Sequence, residues 1–199
     1  MSNKFQGIPL TEDNIKEYIK TTYNADHIFL EKRIIAIDPL LQMDYGEAND
    51  CTLTSITTII HHKIKNEPIQ NIYNTVEEIA KQHFYNGDFG TLSIMVKPIY
   101  EKVLKEYGLT KNTKWKMIKG IAVNIKDIMK TLDTDTPIIL NFLSDGRKYQ
   151  GNHTVLIVGY DIIKVNNKSY YLLRLCDNWN KQITYMDWQK LSCICSINY

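Results

Sequence analysis

The chain has 199 residues, 44% of them hydrophobic and 23% charged, and 24 basic against 22 acidic residues leave a formal charge of +2. That length can bury a core without disulfides or metals, and the evenly mixed charge offers no field to gather nucleic acid or coat an anionic membrane, so neither partner is expected. The amino terminus has no apolar signal core, and the longest apolar runs, near 137–142 and 154–160, are too short to span a bilayer, so the expected location is cytoplasmic.

In chain order, Thr11 followed by Glu12 and Asp13 predicts a helix start, with Ile15, Tyr18, Ile19 and Tyr23 at helical spacing. The segment 52–64 sets propensity against periodicity. Its threonines and isoleucines are β-branched and favour a strand, yet Leu53, Ile56, Ile60 and Ile64 recur at helical spacing behind a cap at Asn49 or Asp50. The periodicity decides for a helix. Asn74 or Thr75 opens another, with Val76, Ile79, Ala80 and His83 on one face. After the turn Gly87-Asp88-Phe89-Gly90, Thr91 or Ser93 caps a helix carrying Ile99, Val103, Leu104 and Tyr107 and ended by Gly108. A short helix fits 124–132. Strands follow at 137–142, 153–160, 170–176 and 192–199. Helices before strands predict an α+β fold, read as a single domain over 1–199: a helical N-terminal extension at 1–40, a helical part at 41–135 and an antiparallel sheet at 136–199.

Cys51, in Glu47-Ala48-Asn49-Asp50-Cys51, stands where that helix begins. A thiol in the first turn faces unpaired backbone amides and the positive end of the helix dipole, both of which favour the thiolate. His61 and His62 sit about 15 Å along the same helix from Cys51, too far to serve as its base. His27 and His83 have no polar constellation around them. His153 remains, at the head of the apolar strand Thr154-Val155-Leu156-Ile157-Val158. If the strands around Asn166-Asn167-Lys168 pair as a hairpin centred on 165, His153 stands opposite Asp177, whose carboxylate can then orient the imidazole. Cys176, Cys193 and Cys195 lack metal-ligand spacing, and all four cysteines read as reduced thiols; no metal site is expected. Trp115 between Lys114 and Lys116 lacks the wider basic stripe of a nucleic-acid surface.

Asn49-Asp50-Cys51 leading a helix, Gly151-Asn152-His153-Thr154-Val155 with Val158-Gly159-Tyr160, and Asp177-Asn178-Trp179 resemble, in order and spacing from 45 to 191, the papain-like cysteine peptidases. The bacterial branch similar to bacteriocin-leader-processing (double-glycine) peptidases is nearest in appearance. The resemblance implies Cys51 as nucleophile, His153 as general base and acid, Asp177 as third member with Asn178 in reserve, and Trp179 as a shield over the His153–Asp177 contact. It implies a peptide or protein substrate and no cofactor. Two positions depart from the family pattern: Tyr45 stands where an oxyanion glutamine is usual, six residues before the cysteine, and Thr52 stands where glycine is frequent. Asn49, Tyr45 and Gln42 are the candidates to complete the oxyanion hole beside the Cys51 amide. Besides hydrolysis, the same residues allow acyl transfer to an amine, or a non-catalytic domain that binds a peptide in the cleft.

Overall fold

The computed structural model describes residues 8–46, 48–109, 115–116, 124–144, 150–191 and 193–198. Six α-helices and seven strands occur there: α1 Ile15–Tyr23, β1 Ile28–Ile34, α2 Gln42–Tyr45, α3 Cys51–Ile64, α4 Ile69–Lys81, α5 Val96–Glu106, β2 Trp115–Lys116, α6 Ile125–Leu132, β3 Ile138–Ser144, β4 Gln150–Val165, β5 Lys168–Cys176, β6 Thr184–Asp187 and β7 Cys193–Asn198. The helical first part and the antiparallel sheet of the second part are those of the expected α+β, papain-like fold. The strand expected over 192–199 is β7, with 192 and 199 outside the described residues, as is 114.

The sheet runs β2-β7-β3-β4-β5-β6, with β1 paired to β4 off that path. The long strand β4 is its spine: residues 150–157 pair with β3 and residues 159–164 with β1. Here the structure corrects the expectation for the N-terminal 40 residues, which contribute β1 as well as a helix. That strand is largely exposed, so the alternation that reveals a half-buried strand is missing from it.

Gly159 lets β1 in. A Cβ there would fall on the carbonyl oxygen of Arg33, so only glycine permits the approach. The β4–β5 ladder shifts by one residue between Ile157 and Gly159, a bulge that swaps the faces of the strand beyond it. Val155 and Ile157 share a core with Tyr160, whereas Leu156 and Val158 belong to the core on the opposite face.

One face of the sheet, with Ile139, Leu156, Val158 and Cys176, packs under α3, α4 and α5. The other, with Ile138, Leu140, Phe142, Val155, Leu173 and Leu175, is covered by Ile128 and Leu132 of α6. A third cluster joins Ile15, Tyr18 and Ile19 of α1 to Ile163, Val165, Leu172 and Tyr185. Helix α3 is the central one: every residue from Thr52 to Ile60 is buried. Burial on all sides overrides the β-propensity of its threonines and isoleucines, because the tertiary gain exceeds the few tenths of a kcal/mol, about 0.5 per residue, that separate them from better helix formers. Thr58 also feeds its hydroxyl back to the Thr54 carbonyl at 2.7 Å. No described helix is long and apolar enough to cross a membrane.

Candidate active site

Cys51 is the first residue of α3, at the expected helix start, and its side chain is half-buried. The capping differs from expectation. Asp50 holds the cap position but turns its buried carboxylate away from the helix amides to accept from the Tyr73 and Tyr85 hydroxyls. Gly46 is obligatory beside this cluster, since a Cβ there would collide with the Tyr73 hydroxyl and the Asp50 carboxylate.

Thr52 and Thr154 are the polar neighbours that bear on the Cys51 thiol. The hydroxyls of Thr52 and Thr154 share a hydrogen bond of 2.7 Å, so the head of α3 lies against β4 at the residue after His153. Burial pushes the thiol up from its ordinary value, and the polar groups of Thr154 and Thr52 pull it only part of the way back. A helix terminus therefore does not by itself lower this thiol below its ordinary value.

His153 is 4% exposed. Its ring lies under the indole of Trp179, centroids 4.2 Å apart and planes 27° from parallel, and meets Phe142 edge-on at 5.9 Å. Nε2 donates to the main-chain oxygen of Asp177 at 3.1 Å. A carbonyl oxygen only accepts, so Nε2 carries the hydrogen, and Nδ1 of the neutral ring is the nitrogen with a lone pair.

The hairpin register differs from the expected one. The turn is Asn166-Asn167, both left-handed at φ 48° and 64°, and Val165 pairs with Lys168. Nearer the site Leu156 pairs with Cys176, and because 156 + 176 = 332, the row of His153 points to 332 − 153 = 179. Trp179, not Asp177, thus falls on the His153 row, and the ladder ends at Cys176 before reaching it. The expectation centred the hairpin on 165 and could not see the bulge. The acceptor holding Nε2 is accordingly the Asp177 backbone. The buried Asp177 carboxylate accepts from Trp179 N at 3.1 Å, Asn180 N at 2.9 Å and Asn180 Nδ2 at 2.6 Å, building the turn that lays Trp179 on the imidazole.

Asn178, in reserve as a third member, has another role. It is 1% exposed with φ 63°, and its Nδ2 donates to Cys51 O at 2.9 Å, Ser55 Oγ at 2.9 Å and Thr154 O at 2.8 Å. Its own carbonyl accepts from Gln42 N at 3.0 Å. One side chain thereby bolts α3 to β4, the elements that carry the thiol and the ring.

The three oxyanion candidates separate. Asn49 Nδ2 donates to Gly87 O at 3.1 Å and Asp88 O at 2.9 Å, which commits its hydrogens to the neighbouring turn. Tyr45 packs half-buried against the helical core. Gln42 is buried, its Nε2 donating to Ala48 O at 2.6 Å while its Oε1 has no partner among the described residues.

Residues 34–193 match the Peptidase_C39 like family. The chain belongs to this family. A crystal structure designated a C39-like peptidase, from Bacillus anthracis, has the same fold: the TM-score is 0.55 at 13% identity, over 85% of this chain and 98% of that one. No curated protein matches the chain. These findings place it among relatives of the papain-like cysteine peptidases, as the ordered cysteine, histidine and Asp-Asn-Trp segments suggested.

The residues that sequence reasoning missed are Thr52, Thr154 and Asn141. Thr52 and Thr154 share a hydrogen bond of 2.7 Å between their hydroxyls, and Asn141 Nδ2 donates to Thr154 Oγ1 at 2.6 Å. One signal was available: Asn141 interrupts the otherwise apolar run Ile138-Ile139-Leu140-Asn141-Phe142-Leu143.

Proposed function

We propose that this member of the Peptidase_C39 like family is a cysteine peptidase that cleaves peptide or protein substrates through Cys51, His153 and Asp177 without a cofactor. The observation that carries the reading is the hydrogen bond between His153 Nε2 and the Asp177 carbonyl oxygen, which calls for the hydrogen on Nε2 and makes Nδ1 the basic nitrogen of the neutral ring. As the thiol is pushed up by burial, attack is coupled to proton transfer: Nδ1 takes the proton as sulfur bonds to the substrate carbonyl carbon.

The imidazolium then gives that proton to the departing amine, the C–N bond breaks, and a thioester to Cys51 remains. Water, deprotonated by the same nitrogen, releases the carboxylic acid and the free thiol. The buried negative charge of Asp177 stabilises the imidazolium between these steps. Trp179 keeps water from the ring's Asp177 contact. The oxyanion receives the Cys51 amide and one side-chain donor, and Gln42 is the best placed of the three candidates because its Nε2 carries a second hydrogen besides the one given to Ala48 O.

Incubation with a mixed peptide library, read by mass spectrometry, tests this. Cleavage by the wild type that disappears in Cys51→Ser and His153→Ala supports the reading, and adding hydroxylamine separates hydrolysis from transfer by the mass of the product. Equal product from wild type and Cys51→Ser would remove Cys51 from the mechanism, and no product from any form would favour a peptide-binding role for the cleft.

A further inference from the structure

We propose that Tyr73 and Tyr85 are positioning residues for the reaction: by holding both oxygens of the Asp50 carboxylate, they keep that charge off the head of α3, where the Cys51 amide receives the oxyanion. The proposal rests on Cys51 being the nucleophile of the preceding section. Its origin is a capping residue that does not cap.

Aspartate is among the best residues to start a helix, because its carboxylate accepts from the second or third amide of the first turn. Asp50 occupies the cap position of α3, yet its side chain makes no cap bond. The first main-chain bond of the helix runs from Thr54 N to Asp50 O at 2.9 Å. The carboxylate is 1% exposed and turned instead to two phenols: Oδ2 accepts from the Tyr73 hydroxyl and Oδ1 from the Tyr85 hydroxyl. A buried carboxylate must be hydrogen-bonded, and with one phenol on each oxygen the cap amides lose the competition for it.

Both tyrosines are fixed by parts of the fold other than α3. Tyr73 belongs to α4 and Tyr85 to the turn after it, and both rings are buried in the same helical core. Tyr85 N donates to Ala80 O at 3.1 Å. The turn beyond Tyr85 is tied to the residue before Asp50, since Asn49 Nδ2 donates to Gly87 O and Asp88 O, and a Cβ on Gly90 would meet the Asn49 carbonyl oxygen. Burial and the Asp50 carboxylate push the Tyr73 hydroxyl up, so it stays a donor.

The consequence falls on the reaction. The oxyanion forms on the first amide of α3, and a capping carboxylate would sit against the next two, so that two negative charges would share one helix end. With the phenols in place, the positive end of the helix is left to the charge that develops in the transition state.

The test is steady-state turnover of the peptide that the wild type cleaves fastest from the mixed library. The double variant Tyr73→Phe with Tyr85→Phe keeps both rings and is expected to lower kcat about tenfold at wild-type KM, a fraction of the ~10²- to 10³-fold that the loss of a whole oxyanion donor costs. Adding Asp50→Ala to the double variant removes the freed carboxylate and restores most of the lost kcat. A merely structural role for the cluster predicts the reverse, a deeper loss when its third member is deleted. Tyr100→Phe removes a buried phenol of the same core that does not bond Asp50, and leaves kcat unchanged. If the double variant does not fold, Tyr85→Phe with and without Asp50→Ala gives the same reading. Wild-type kcat in the folded double variant, or a triple variant no faster than the double, overturns the proposal. Equal turnover by Cys51→Ser, or none by the wild type, instead overturns the nucleophile reading beneath it.

Discussion

Replacing Asn178 by glycine removes the clamp between the nucleophile helix and the histidine strand while keeping the backbone conformation available. The side chain gives two hydrogens to three acceptors, Cys51 O, Ser55 Oγ and Thr154 O, and is fully enclosed. Each net hydrogen bond is worth about 0.5–1.5 kcal/mol, and a small cavity adds to the loss, so Asn178→Gly should destabilise the fold by about 2–3 kcal/mol. At about 2–4 °C per kcal/mol for a chain of this size, the melting temperature falls by ~4–12 °C. Asn178→Ala should be worse by roughly 1–2 kcal/mol, because φ is 63° and alanine resists the left-handed region. Urea unfolding of wild type and both variants measures these differences, and the order wild type, glycine, alanine is the signature. A glycine variant within about 0.5 kcal/mol of wild type, inside the range of ordinary surface substitutions, would refute the clamp.

Three further outcomes follow from the geometry. Gly159→Ala should destabilise by about 1–3 kcal/mol or more, since its Cβ meets the Arg33 carbonyl and β1 must move; unfolding curves check it, and an unchanged midpoint would contradict the close approach. Trp179→Ala uncovers His153 and should lower peptide turnover about tenfold or more with little change in stability, measured by kcat/KM beside a thermal melt; turnover at the wild-type level would deny the indole that role. Burial, with the charges of Asp177 and Asp38, pushes the Cys176 thiol up to about 12. The folded state therefore keeps a proton that the unfolded chain loses above pH ~8.5, and stability falls as pH rises from there by up to ~1.4 kcal/mol per unit. Urea unfolding at mildly and strongly alkaline pH should show a shallower pH slope in Cys176→Ala than in wild type, and parallel slopes would count against it.

The candidate site could be named from the sequence because its chemistry-bearing residues announce themselves by type and order. Cys51 at a helix start, His153 at a strand head and Trp179 beside Asp177 are strong local signals. Helix α3 was readable through its period even though β-branched residues fill it, since burial on every side decided the outcome. What the sequence hid was register. A turn displaced from its expected centre moved Asp177 off the His153 row, the bulge at Val158 recovered only one residue of that offset, and neither leaves a mark that a symmetric count of residues detects. The role of Asn178 was hidden for a related reason: its three acceptors come from α3 and β4, which only the tertiary fold brings together. β1 escaped because an exposed strand paired on one edge carries no hydrophobic alternation. Asn141 was visible as an oddity in an apolar run, but its meaning depends on a neighbour across the ladder.

The most direct test of the account is the alkylation rate of Cys51 against pH in wild type and His153→Ala, resolved from Cys176 by peptide mass spectrometry. Since burial holds the isolated thiol up, the account predicts fast labelling near neutral pH only while the imidazole is present. His153→Ala should then label about tenfold or more slowly there and recover only at alkaline pH. Superimposable profiles for the two proteins would contradict the pairing of Cys51 with His153.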